Sequence, residues 1–113
     1  MPVTMYHNPR CNTSRRTLAL LREKGVEPTI IEYLKTPYTV AQLKRLLGQL
    51  KMPASRLVRK KEAAAAGIDP TALSEDALIE AMTKNPIIVE RPIVVSGQKA
   101  TLGRPPEAAL AVL

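Results

Sequence analysis

Apolar and polar residues alternate over Val3, Thr4, Met5 and Tyr6, the two-residue period of a strand with one buried face. His7-Asn8-Pro9-Arg10-Cys11-Asn12-Thr13 interrupts that period and, with its proline, reads as a loop. Over residues 14–24, Leu18 and Leu21 fall on one face, Arg15, Arg22 and Glu23 elsewhere, and Gly25 follows as a stop signal; the spacing predicts a helix. Residues 29–33, Thr-Ile-Ile-Glu-Tyr, read as a second strand. Thr39 with Gln42 three positions on matches a capping box, and Val40, Leu43, Leu46, Leu47 and Leu50 recur at helical spacing over 40–50. Residues 54–66 read as a broken helix carrying Arg56, Arg59, Lys60 and Lys61, then an alanine run ending at Gly67. A continuous helix there puts Arg56, Arg59 and Lys60 on one face. Ser74 is a good N-cap, Glu75 and Asp76 suit the positive start of a helix, and Ala77, Leu78, Ala81 and Met82 form its apolar face.

After Pro86 the texture changes. Residues 87–89, 93–95 and 100–102 are β-like, with Ser96-Gly97 as a turn, and residues 107–113 form a short apolar closing helix. The order is β-α-β, a helical middle, then β-β-α. That order predicts an α/β fold: one domain over 1–113, a mixed β-sheet flanked by helices, with a helical insertion in the middle of the chain.

The chain has 113 residues, enough for one domain that buries roughly two-thirds of its unfolded surface. No apolar run approaches the ~20 residues that span a bilayer. The first residues lack the basic-then-apolar pattern of a secretory signal, so the cytoplasm is the expected compartment. One cysteine and one histidine exclude an internal disulfide framework and argue against a metal site of the Cys/His zinc type. The net charge of +7 attracts anions: nucleic acid, acidic membranes or small oxyanions. With no Phe, no Trp and three Tyr, the stacking surface for single-stranded nucleic acid is thin. The expectation is a monomer that binds neither nucleic acid nor membrane.

Cys11 lies between the first strand and the first helix. Near a helix start a thiol sits beside free backbone N–H groups and the positive end of the dipole. His7, Arg10 and Arg15 are close in sequence, and such surroundings lower a thiol pKa below its free value of ~8.5 and favour the nucleophilic thiolate. The same N–H groups suit a tetrahedral oxyanion. The competing reading is a buried apolar filler, as many free cysteines are; the polar run on both sides of Cys11 is a poor setting for one. A redox Cys-x-x-Cys needs a thiol where Ser14 stands, and a Cys-x5-Arg phosphatase loop needs arginine where Thr17 stands. What remains is a single thiol that needs an external thiol to complete a redox cycle. Arg59, Arg91 and Arg104, taken one at a time, read as solvated charges, and spacing alone does not bring them to Cys11.

His7-Asn8-Pro9-x-Cys11-x-Thr13-Ser14-Arg15 resembles the signature loop of the glutaredoxin-coupled arsenate reductases, the ArsC family with a thioredoxin-like fold. Further matches run in order along nearly the whole chain: residues 27–31, 57–60, Asn85-Pro86, 91–95 and 103–105. The resemblance implies that Cys11 attacks arsenate, with His7 and Ser14 as its catalytic partners and His7 helping to keep the thiol ionised. It implies that Arg59, Arg91 and Arg104 bind the oxyanion and that Arg91-Pro92 is cis. It also implies glutathione and glutaredoxin as external reductants, with no cofactor bound. Arg10 and Asn12 stand where the plasmid-type enzymes carry Ala and Gly, and the chain stops at Leu113 without their C-terminal extension. It is more similar to the short chromosomal branch. Two other readings remain: a regulator of the Spx type that binds RNA polymerase, and a glutathione-linked thiol reductase with another substrate.

Overall fold

The computed structural model describes residues 2–113. The chain divides into two compact units: one runs up to Thr36 and resumes with Arg91–Leu113, the other is Pro37–Glu90.

The first unit contains strands β1 (Val3–His7), β2 (Thr29–Glu32), β3 (Ile93–Ser96) and β4 (Lys99–Leu102), helix α1 (Asn12–Glu23) and a closing 3₁₀ helix, Pro106–Val112. The four strands form one mixed sheet in the order β2-β1-β3-β4. β1 runs parallel to β2, in the register His7 opposite Glu32. It runs antiparallel to β3, with Tyr6 opposite Ile93, and β3 is antiparallel to β4, with Ile93 opposite Leu102. The alternation read in residues 3–6 is realised: Val3, Met5 and His7 are buried, while Thr4 and Tyr6 are half-buried. Val3 and Met5 meet Leu21 of α1, Val94 of β3, and Ala109 and Val112 of the closing helix, with Leu18, Val26 and Ile30 packed around them. α1 ends where Gly25 takes φ +79°. Its N–H bonds the Arg22 carbonyl and that of Val26 bonds Leu21, the paired bonds that finish a helix through a left-handed residue.

The second unit is helical, as the insertion was expected to be: α2 (Val40–Leu50), α3 (Ala54–Leu57), α4 (Lys60–Ala65) and α5 (Glu75–Lys84), with short 3₁₀ turns at Pro70–Ala72 and Pro86–Ile88. The capping box is formed, with Gln42 N donating to Thr39 Oγ1 and Thr39 N to Gln42 Oε1. Leu43, Leu46 and Leu47 of α2, Leu57 of α3, and Leu78, Ile79 and Met82 of α5 are buried.

The structure departs from two expectations. Residues 87–89 are not a strand. The proline opens a 3₁₀ turn, and only Val89 makes a β-bridge, antiparallel to Val58. That bridge also explains the break between α3 and α4. The Arg59 N–H donates to the Ile88 carbonyl at 2.6 Å and that of Glu90 to Leu57 at 2.8 Å, so Val58 and Arg59 are extended. Arg56, Arg59 and Lys60 therefore do not share one helix face.

Leu21 is fully buried and seats α1 on the sheet. Leu21→Ala should cost about 2–5 kcal/mol of stability, read as a lower midpoint in chemical denaturation.

Candidate active site

Three register facts bring distant segments to one edge of the sheet. β1 ends at His7 and leads directly into the loop that carries Cys11. Antiparallel pairing of β3 with β1 places Arg91-Pro92, just ahead of β3, beside that loop. Pairing of β4 with β3 brings Gly103-Arg104 out at the same edge.

The loop is shaped by short-range hydrogen bonds. The Cys11 N–H donates to the Asn8 carbonyl at 3.0 Å, and Arg10 N to Asn8 Oδ1 at 3.0 Å. Ser14 is fully buried; its Oγ accepts the Asn8 N–H at 3.1 Å and lies 2.6 Å from His7 Nδ1. The Arg15 guanidinium donates to the Pro9 carbonyl at 2.8 Å. These bonds make Cys11 itself the N-cap of α1, with φ −89° and ψ 122°. The helix thus begins at Asn12, two residues ahead of the predicted start, because Cys11 holds the position usually given to an oxygen-bearing side chain.

Cys11 is neither core filler nor fully exposed. Partial burial pushes its pKa up. The backbone N–H of Ser14, the Arg91 guanidinium and the N–H of Thr13 together outweigh burial, so the thiol lies below its ordinary value. No side-chain hydrogen bond of regular geometry caps the helix; the N–H groups act on the sulfur electrostatically. Arg104 adds a second cation, with Nη1 3.9 Å from Cys11 Sγ and 3.2 Å from the Arg91 carbonyl. A unit pair at that distance is worth about 1 kcal/mol in water and about 4 kcal/mol at a partly desolvated surface. Arg104 is exposed, so the lower figure governs.

His7 is buried. Burial lowers its pKa most; Glu32 opposes, while Arg22 and Arg15 reinforce the lowering. The ring is therefore neutral at pH 7, and its contact with Ser14 holds the serine whose N–H faces the sulfur.

Gly103 fixes where Arg104 departs. Its N–H donates to the Pro92 carbonyl at 2.9 Å, and its own carbonyl accepts the Thr17 hydroxyl at 3.1 Å. A Cβ at this position would stand 2.8 Å from both the Pro92 ring and the Thr17 side chain. Arg91-Pro92 is cis, as the resemblance implied, and Arg104-Pro105 is cis as well, which the sequence reading did not foresee.

Of the residues singled out from sequence, Cys11, His7, Ser14, Arg91 and Arg104 meet in the first unit. Arg59 belongs to the second, where Glu62 binds its Nε and Glu90 its Nη1, the latter at 2.7 Å. Sequence reasoning missed Thr17 and Gly103 as contributors to the site's shape. It also missed Tyr33, fully buried just past β2, whose electrostatic neighbours include Asn8, Arg91 and Cys11. Among the described residues no cluster of His, Cys, Asp and Glu suits a metal ion, and no helix is long and apolar enough to cross a membrane.

The profile of the ArsC family matches residues 6–112. The arsenate reductase of Haemophilus influenzae is 40% identical over 116 residues, spanning 100% of both chains. That of Escherichia coli (strain K12) is 41% identical, over 98% of this chain and 80% of the other. An uncharacterized protein of the same strain, YfgD, is 50% identical over 98% of this chain and 96% of its own. Among solved structures, the arsenate reductase from Vibrio cholerae superposes with a TM-score of 0.90 at 44% identity, covering 100% of this chain and 98% of that one.

Two outcomes follow from the geometry. Gly103→Ala should lose about 1–3 kcal/mol in chemical denaturation, because the added methyl displaces the strand end that carries Arg104. Unfolded His7 titrates near 6.5 and folded His7 lower, so the unfolded chain takes up this proton first. Its contribution to stability is complete above that region and is lost as pH falls through it. Wild type should therefore lose more stability between pH 7 and pH 5 than a His7→Gln variant, with denaturation at both pH values as the check.

Proposed function

The chain belongs to the ArsC family, and from that premise we propose that it reduces arsenate to arsenite through the Cys11 thiolate, with glutathione and glutaredoxin as the electron source. The fold is the thioredoxin-like α/β arrangement. The observation that carries the reading is the meeting, at one helix N-cap, of a thiol held below its ordinary pKa with the guanidinium groups of Arg91 and Arg104.

In this scheme the Cys11 thiolate attacks As(V), and an oxide ligand leaves as water after protonation. Arsenate and thiolate are both anionic, so their approach depends on fixed positive charge. Arg91 and Arg104, with the N–H groups of Thr13 and Ser14, supply it. Arg59 is the third oxyanion ligand that the family pattern assigns. Within its own unit, Glu62 and Glu90 offset its charge. His7 favours the ionised thiol by position, as a neutral ring that orients Ser14.

Glutathione thiolate then attacks the Cys11 sulfur. The S–As bond breaks, its electron pair stays with arsenic as As(III), and a Cys11–glutathione disulfide forms. Glutaredoxin attacks the glutathione sulfur and returns the Cys11 thiolate. Two thiols are oxidised to one disulfide for the two electrons arsenic gains. The only cysteine in the chain is Cys11, so the resolving thiol comes from outside. No bound cofactor is needed, and we place this chemistry in the cytoplasm, where glutathione is reduced, with the protein acting as a monomer.

One observation favours a second reading. YfgD, without an assigned activity, shares 50% identity with this chain, while the arsenate reductase of the same strain shares 41%. The same thiol on another oxyanion, or on protein–glutathione disulfides, fits that relation.

The test is an NADPH-coupled assay containing glutathione, glutathione reductase and glutaredoxin. Arsenate should drive NADPH oxidation with wild type, Cys11→Ser should fall to background, and phosphate should inhibit without turnover. Turnover retained in Cys11→Ser would contradict the scheme. Turnover with a glutathionylated peptide and none with arsenate would select the second reading.

A further inference from the structure

Tyr33 is the first residue beyond β2, and the parallel register of β2 with β1 sets Glu32 opposite His7. Tyr33 therefore stands alongside Asn8, at the sheet edge where the Cys11 loop leaves β1. Its side chain is 0% exposed, and its hydroxyl oxygen is itself buried, as is Nε of Arg91. A buried phenol keeps its oxygen out of water only where polar neighbours replace the water. The neighbours that act on it are the Arg91 guanidinium and the Asn8 side chain, both as hydrogen-bonding groups, and the Cys11 sulfur as a charge. Those three groups belong to the same corner of the first unit. Asn8 shapes the loop through its carbonyl and its Oδ1, Arg91 stabilises the thiolate, and Cys11 is the nucleophile.

We propose that Tyr33 is a positioning residue of the oxyanion site, its buried hydroxyl fixing the Arg91 guanidinium and the Asn8 amide relative to the Cys11 sulfur. The phenol stays protonated: burial disfavours its anion most strongly, and the thiolate reinforces that. In this role its oxygen is the acceptor offered to the cationic N–H groups of Arg91, and such an anchor removes rotational freedom that a long arginine side chain otherwise keeps. Arg91 then meets both the thiolate and an incoming oxyanion in one orientation. This role rests on the arsenate-reductase reading for the identity of the oxyanion, but not for the thiol.

Tyr33→Phe removes the hydroxyl and little volume. In a variant shown to be folded by circular dichroism, the pH midpoint of Cys11 alkylation by iodoacetamide should rise by about half a unit or more. In an Arg91→Ala background the same change should add nothing, because the hydroxyl acts through Arg91. An unmoved midpoint, or an equal rise in both backgrounds, would overturn the proposal. Should Tyr33→Phe fail to fold, ¹⁹F NMR of wild type carrying 3-fluorotyrosine replaces it. The Tyr33 signal, assigned by elimination with Tyr6→Phe and Tyr38→Phe, should shift as Cys11 ionises and stay fixed in Cys11→Ser; a flat signal in wild type overturns the idea. A wild type that turns over no arsenate, while these thiol shifts persist, removes the reading of the previous subsection and sustains Tyr33.

Discussion

A sulfur occupies the N-cap of α1, and the rest of the site follows from making that position tolerable for a negative charge. Helix starts ordinarily receive an oxygen that accepts from the first-turn N–H groups. A thiol accepts poorly, whereas a thiolate supplies the missing negative charge. The helix start thereby favours ionisation, and partial burial opposes it. The balance is tipped by Arg91, with Ser14 N–H as the largest favourable contribution. Those contributions depend on loop shape, and loop shape depends on the buried Ser14 hydroxyl between Asn8 N and His7 Nδ1. A neutral histidine suits that place. A cation there would be desolvated between Arg15 and Arg22, the two arginines that already depress its basicity.

Charge reaches the sulfur through the sheet rather than through sequence neighbours. Arg10, Asn12, Arg15 and Arg16 flank Cys11, all of them exposed, and Arg15 spends its guanidinium on the Pro9 carbonyl. The cations that act on the sulfur stand 80 and 93 positions away, one ahead of β3 and one beyond β4. Gly103 lets the two segments close on each other and on Thr17, so the backbone from which the arginines depart is fixed. That rigidity matters for chemistry between two anions, since preorganised charge is worth more than charge that must first be gathered.

The sheet and the principal helices were legible because their signals are local. Alternation marked β1, the capping box marked α2, and Gly25 marked the end of α1. The helical middle was legible as helical and as broken over 54–66, but the place of the break, at Val58 and Arg59, was not. That break answers to a bridge with Val89, thirty-one positions on. Residues 87–89 looked like a strand by composition, yet the Pro86 ring and a single partner residue leave only a 3₁₀ turn and one bridge. At the site, Cys11 and its loop stood out from neighbouring residues alone. Arg91 and Arg104 needed a family pattern to be connected with Cys11, because strand register, not spacing, joins them. Tyr33 carried no signal beyond a strand-like apolar texture; only the offset of β2 against β1 reveals what its hydroxyl faces.

The central claim is an ionised Cys11 at a point where an oxyanion also binds. Ultraviolet titration of the thiolate absorbance, wild type minus Cys11→Ser, measures it directly. The account predicts a midpoint below the ~8.5 of free cysteine, moving upward when inorganic phosphate saturates the site and sets a second anion beside the sulfur. A midpoint at or above that of free cysteine, indifferent to phosphate, would contradict it.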